Sequence, residues 1–230
     1  MAQAFDSRYY SELEAILFDR EKKLFGNLSR NEIQSNLYQN ELARKIAVEK
    51  AIPKKNHNVL LHGDSIVSSV RYVGEQLKIE EPLLKLIEYS ALMHDVGKIK
   101  IDSALLESDK VFSRTSKEFG ELMKHAEYGA MIINPYPFEN CFSYVAEQVK
   151  HHHENINGTG YPSGLRGNEI PVGSRIIRVS DSYNAMTHPR PYNHVMEKLQ
   201  AIEEIISNSG VLFDEKIAQI FCEYILREKN

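Results

Sequence analysis

The stretch EPLLKLIEYSALMHDVGKI, residues 81–99, decides the fold. Leu84, Ile87, Ala91, His94 and Lys98 fall at alternating three- and four-residue steps, the spacing of one helix face turned towards a core. Pro82 suits the first turn of that helix. The stripe begins in hydrocarbon and ends in titratable groups. Burying an ionisable group without a partner is costly enough, if repeated, to consume a domain's stability margin, so such positions are normally neutralised or hold a ligand. Asp95, beside His94, can be that partner, and a hydrogen-bonded core histidine explains the pair as well as a metal ligand does.

Outward from this stretch the pattern recurs. In SYVAEQVKHHHE the apolar positions Val145 and Val149 lead into His152 and His153, and in KEFGELMKHAEYGAMII Leu122 leads into His125 and Gly129. LHGDSIVSSVRYVGEQL, with His62 near its start, is a further helical segment. RIIRVSDSYNAM reads as a short strand or a helix. HVMEKLQAIEEIISNSG ends at Gly210, and Asp214 caps EKIAQIFCEYIL. Towards the amino terminus, SELEAILFDREKKLF and a capping-box pattern from Ser29 to Glu32 predict two more helices, closed by Ile52-Pro53. AIPKKNHN, residues 51–58, is the linker. The expected class is all-α, with an amino-terminal helical segment over 1–55, regulatory or dimerising, the coiled remnant of a linker, or simply packed on the bundle, and a second helical domain over 56–230.

Composition narrows the function classes. At 230 residues with 42% hydrophobic and 26% charged, the chain has the makeup of an ordinary globular protein, and a net charge of −4 gives no field for a nucleic-acid polymer. Cys141 and Cys222 lie far apart with no C-x-x-C, which argues against a disulfide framework or thiolate zinc and fits a reducing compartment; both read as core residues. No apolar run matches a membrane span, and the amino terminus lacks signal-peptide features. The expectation is a cytoplasmic protein without membrane insertion. A set of histidines and carboxylates at the ends of apolar faces, with no cysteine among them, suits Fe, Mn, Zn or Ni. His57, His151, His188 and His194 are read as non-ligands, His151 because three consecutive helical residues cannot easily face one cluster.

At this point the chain resembles the HD-GYP branch of the HD-domain metal-dependent phosphohydrolases. The residues that carry the likeness run in order: His62, then HDVGK (His94, Asp95, Lys98), KHAEYGA (His125), HHENINGTGYPSGLRGNEIP from His152, RIIRVSD (Asp181) and AMTHPRPY (Arg190, Tyr192). The likeness covers roughly residues 56–225. It implies an HD-domain helical bundle with extra carboxy-terminal helices, two divalent transition-metal ions, iron or manganese, and hydrolysis of cyclic di-GMP to pGpG or on to GMP. Carried over residue by residue, it gives one metal to His62, His94 and Asp181 and the other to His125, His152 and His153, with Asp95 bridging and Lys98 meeting phosphate or the attacking water. Two such ions supply a nucleophile at neutral pH and hold charge in an in-line displacement, and a carboxylate, unlike a neutral imidazole, has two oxygens with which to bridge them.

The same resemblance gives the glycine-rich turn a use. Gly158 and Gly160 permit a sharp fold against the mouth of the site, Pro162 fixes the exit, and Tyr161 is set to stack on guanine or meet phosphate, or else to pack in a surface turn. Arg190 is the phosphate clamp or a fold-stabilising ion pair; Arg175 and Arg178 are read as structural. The turn also offers a surface to a signalling partner, and a homodimer is one form the chain can take. Asn157, Asn184 and Asn193 stand where the family pattern carries charge, and Asn58 where three-metal members carry an acid, which favours two metals. These changes bear on substrate and rate, and they leave two further readings beside the phosphodiesterase: a receptor or scaffold for a cyclic dinucleotide, and a hydrolase for another cyclic dinucleotide or a nucleotide.

Overall fold

In a computed structural model, residues 57–134, 141–189 and 195–228 are described, with side chains from Ile66 onward except Cys141. The expected amino-terminal helices, the linker as far as residue 56, and Arg190, Tyr192, Asn193 and His194 lie outside the described residues, as do the side chains of His57, Asn58 and His62; the last two linker residues, His57 and Asn58, are helical rather than linker. Among the described residues the chain is helical, with isolated bridges at Asn157–Arg166 and Ser209–Phe213 and no strand.

Helix α1 (His57–Gln76) buries Ile66, Val70 and Val73 on one face. It packs against α2 (Glu81–Met93), which carries a proline in its first turn and buries Leu83, Leu84, Ile87 and Ala91. The helix expected to run through Lys98 stops at His94. A 3-10 segment, Val96–Lys100, follows it, opened by the Lys98 N–H donating to the Asp95 carbonyl at 2.9 Å. This segment lies tight against another helix. A Cβ on Gly97 would lie 1.9 Å from the His125 carbonyl oxygen and 2.4 Å from the Gly129 nitrogen, so this residue is where the backbone of another helix comes closest.

Beyond the short helix α3 (Ser103–Leu106), the run 116–133 is two helices rather than one: α4 (Lys117–Met123), capped by Ser116, and α5 (His125–Ile133), with Lys124 as the corner. α5 packs on α6 (Cys141–Lys150) and on the 3-10 segment, and α6 packs on α2. RIIRVSDSYNAM is helical: α7 (Val172–Thr187) buries Ile176, Ile177, Ser180, Asp181 and Asn184, a three-to-four-residue period that a strand would not give. Its first turn is held to α6 by the buried Gln148, whose side-chain oxygen accepts from the Ser174 N–H at 2.9 Å and whose carbonyl accepts from the Ser174 hydroxyl at 2.8 Å. Ser69 and Ser180 join α1 to α7 at 3.1 Å.

Helix α8 (Lys198–Ser207) and helix α9 (Glu215–Arg227) close the bundle, with Gly210 at φ +76° between them. Asp214 accepts from the Lys216 and Ile217 N–H groups as the α9 cap, and its other oxygen takes the buried Arg175 at 2.7 Å, so Arg175 is structural as read. Cys222 lies in the core against α1 and α7.

The Gly97 contact is testable. Gly97→Ala lowers the unfolding free energy by about 1–3 kcal/mol or more in urea denaturation. Gly120→Ala, in α4 with nothing within 4 Å of the new methyl, leaves it unchanged or raises it by about 0.5–1 kcal/mol.

Candidate metal centre

Five residues of the cluster sit where a helix ends or bends. His94 caps α2, Asp95 opens the 3-10 segment, His125 starts α5 at the Lys124 corner, and His152 and His153 lie in the turn after α6. Asp181 alone comes from a helix interior. Helix ends suit this work because neighbouring residues there leave the helical wheel and can converge.

One local device aims three of the rings. The Nδ1–H of His94 donates to the Ala91 carbonyl at 2.7 Å, that of His125 to Leu122 at 2.7 Å, and that of His152 to Val149 at 2.5 Å, always three residues back. A carbonyl can only accept, so Nδ1 carries the proton and Nε2 is left with its lone pair. Those lone pairs converge. The Nε2 atoms of His125 and His152 are 3.4 Å apart, and Asp95 presents Oδ1 to His125 at 3.4 Å and Oδ2 to His94 at 3.5 Å. His94 Nε2 is buried without a hydrogen bond and lies 3.8 Å from Asp181 Oδ1.

Burial keeps the His125, His152 and His153 rings neutral. It is the largest cause pushing His125 down, His152 to about 3 and His153 well below the usual imidazole range, and neighbouring rings add to it in each case. The contact between His125 and His152 is therefore not a hydrogen bond, because neither Nε2 has a proton to give. Burial also opposes ionisation of Asp95, but the Lys98 ammonium at 2.5 Å is the largest opposing influence, and the carboxyl is held well below the usual range. Acceptor atoms of Asp95, His125, His152 and His153 all lie within 4.8 Å of one another. Buried lone pairs and a carboxylate crowded together, with one lysine to offset them, are the donor set of a divalent transition-metal site. The residues fit such an ion.

The glycine-rich turn folds back towards the cluster. Gly158 takes φ +79°, and a Cβ on Gly160 would meet the Asn155 nitrogen at 2.3 Å and the Glu154 Cα at 2.4 Å. The peptide between Tyr161 and Pro162 is cis. Glu154, which the sequence reading did not use, clasps the turn by accepting from the Ser163 N–H at 2.7 Å and the Gly164 N–H at 3.1 Å. Tyr161 stacks on the His153 ring, centroids 4.7 Å apart at 29°, with the edge of Phe119 at 6.4 Å. One face of the tyrosine is thus spent on a cluster histidine. Burial and the Asp95 charge push its hydroxyl far up, so it stays a donor.

His151 faces away from the cluster, its Nδ1 3.6 Å from Glu154 Oε1, and His188 Nδ1 bonds the Asn184 carbonyl at 3.1 Å; neither joins the donor set. Lys98 arrives from the 3-10 segment, not from a continued α2, and still reaches Asp95. The side-chain oxygen of Asn157 accepts from the Thr159 N–H at 3.1 Å and hydroxyl at 2.7 Å, so this amide shapes the turn.

The family described as HD domain matches residues 13–217, and the chain belongs to it, with the motif order of the HD-GYP branch. A cyclic di-GMP phosphodiesterase of Thermotoga maritima is 32% identical over 149 residues, 65% of this chain and 40% of that protein. The cyclic di-GMP phosphodiesterase response regulator RpfG of Xanthomonas campestris is 35% identical over 146 residues, 63% of this chain and 37% of that protein. This chain thus spans about two fifths of the length of these relatives. A solved cyclic GMP-AMP-specific phosphodiesterase of V. cholerae matches with a TM-score of 0.55 and 20% identity, over 72% of this chain and 44% of that one, which shows the shared fold. Among the described residues no helix is long and apolar enough to cross a membrane.

The neutral rings make the metal-free protein sensitive to acid. The unfolded chain takes up protons near 6.5, whereas folded His152 resists them down to about 3. The stability gained from keeping the rings neutral is full above about pH 6.5 and is lost as pH falls from there towards the folded value. Urea midpoints of metal-free protein fall between about pH 7.5 and pH 5, and His152→Gln makes that fall shallower; equal slopes would contradict the reading.

Proposed function

We propose that the protein is a metal-dependent phosphodiesterase that opens cyclic di-GMP to pGpG, and on to GMP, in the cytoplasm. The observation that carries this reading is the convergence of three oriented Nε2 lone pairs on the two oxygens of Asp95, with the Lys98 ammonium beside them. The phosphodiesterase names of two relatives at 32% and 35% identity support the reaction class.

Two divalent metals, iron or manganese by donor type, would supply Lewis-acid charge at the phosphate and a nucleophile from water at neutral pH. The halves of the cluster offer them separate homes. His94 and Asp181, with His62 from α1, would hold one; His125, His152 and His153 the other. Asp95 spans both, one oxygen towards each half. Nearly every donor besides the two aspartates is neutral, so the loaded site keeps the net positive charge a phosphate needs on a chain of net charge −4. Lys98, partly exposed beside Asp95, is placed to release the carboxylate and turn to a phosphate oxygen. Tyr161 orients His153 with one face and keeps a hydroxyl donor for substrate. Arg190 is the proposed second clamp.

The test is anaerobic purification, loading with Mn(II) or Fe(II), incubation with cyclic di-GMP and chromatography of the products. Wild type gives linear dinucleotide, and Asp95→Ala gives none above background. Lys98→Met keeps its metal and loses about 10²–10³-fold in kcat. Metal-loaded wild type that binds cyclic di-GMP without cleaving it would make the protein a receptor, and cleavage of a mixed cyclic dinucleotide in preference would reassign the substrate.

A further inference from the structure

Arg178 was read from the sequence as structural, yet its surroundings differ from those of the arginine that is. Arg175 is neutralised by Asp214. Arg178 instead makes both of its hydrogen bonds among the described residues to neutral oxygens: Nε donates to Asn155 Oδ1 at 3.1 Å, and Nη1 donates to the Ser182 hydroxyl. The guanidinium lies over the Phe213 ring, 5.4 Å from its centroid, and burial lowers its affinity for the proton. The guanidinium is half-buried, its hydrogen-bond partners are neutral, and the charge of Asp181 on the same helix acts in its favour.

It is aimed along the wall of the metal centre. Arg178 stands one helical turn before Asp181 on α7, where side chains three apart are neighbours with Cβ atoms about 5–6 Å apart. Its Nε partner, Asn155, belongs to the turn that carries His152 and His153. Its positive charge is felt at the His153 ring and the Tyr161 hydroxyl, and the exposed Arg114 acts on both Tyr161 and Arg178 from the segment before α4. The cation therefore stands between the Asp181 wall and the Tyr161 turn, beside the donor cluster and outside it.

We infer that Arg178 is a substrate-binding residue that holds the second, non-reacting phosphodiester of a cyclic dinucleotide while the first sits at the metals. A cyclic dinucleotide carries two phosphodiesters in one ring, so when one is fixed at the centre the other must be accommodated beside it. A guanidinium already held at Nε and Nη1 presents its remaining donors at little entropic cost, in the planar fork that suits phosphate oxygens. The inference rests on the proposed cyclic-dinucleotide activity and adds to it a residue that selects two-phosphate substrates over simple diesters.

The test compares metal-loaded wild type, Arg178→Met and Arg178→Lys on cyclic di-GMP and on bis(p-nitrophenyl) phosphate, a diester with a single phosphate. In Arg178→Met the KM for cyclic di-GMP rises at least about tenfold with a much smaller change in kcat, and the ratio of kcat/KM for cyclic di-GMP to that for the simple diester falls by a similar factor. Arg178→Lys, which keeps the charge and loses the fork, shows the same change in smaller measure and serves if the methionine variant fails to fold. An equal loss on both substrates, or an unchanged KM for cyclic di-GMP, overturns the inference and leaves the phosphodiesterase standing. Wild type that cleaves the simple diester but neither binds nor cleaves cyclic di-GMP overturns both.

Discussion

Everything in this site depends on where three protons are. By giving each Nδ1 proton to the carbonyl three residues back, the backbone at Ala91, Leu122 and Val149 fixes the tautomer of His94, His125 and His152 and turns their lone pairs inward. Inside the bundle those lone pairs meet one another and Asp95 with too few protons to go round, and burial prevents His125 and His152 from acquiring more. Such an arrangement is unfavourable by itself and becomes favourable around a cation. The fold thus holds a region of stored electrostatic need, which the surrounding helices must stabilise.

They do so through close backbone approach and buried polar ties. Gly97 lets the segment after Asp95 lie against the start of α5, so that the carboxylate and His125 come from different helices yet meet. Gln148 ties α6 to the first turn of α7, and Ser69 with Ser180 ties α1 to the same helix, which places Asp181 opposite His94. Glu154 and Gly160 fold the tyrosine-bearing turn back over His153. Each tie acts on an element that carries a donor. Loss of one is expected to loosen the geometry of the cluster before it unfolds the protein.

Much of this was legible from residues alone. Apolar stripes that run into imidazoles at His94, His125 and His152 mark helix ends facing a core, because a stripe at that spacing has only one side to face. What the pattern could not contain was the breaks. A helix through Lys98 and one through 116–133 satisfy the same periodicity as the observed pairs of shorter elements, and the breaks at His94 and Lys124 leave no mark in it. RIIRVSDSYNAM was ambiguous for a related reason: its period becomes helical only when the small polar residues Ser180 and Asn184 count as interior. Arg178 carries no sequence signal separating it from Arg175, since the difference lies in which partners reach each guanidinium. Glu154 was hidden in plain view beside the histidines; its task is to bind backbone N–H groups of a turn whose path is set by tertiary structure.

The central claim is that this cluster exists to be filled by metal through imidazole nitrogen. X-ray absorption spectroscopy of protein loaded anaerobically with Mn(II) or Fe(II), paired with elemental analysis, addresses it directly. The account predicts tightly held metal, two ions per chain in the proposed arrangement, with a nitrogen- and oxygen-rich shell and the outer-shell scattering of several histidine rings. Protein that stays metal-free under these conditions, or metal whose spectrum contains no histidine signature, would contradict it.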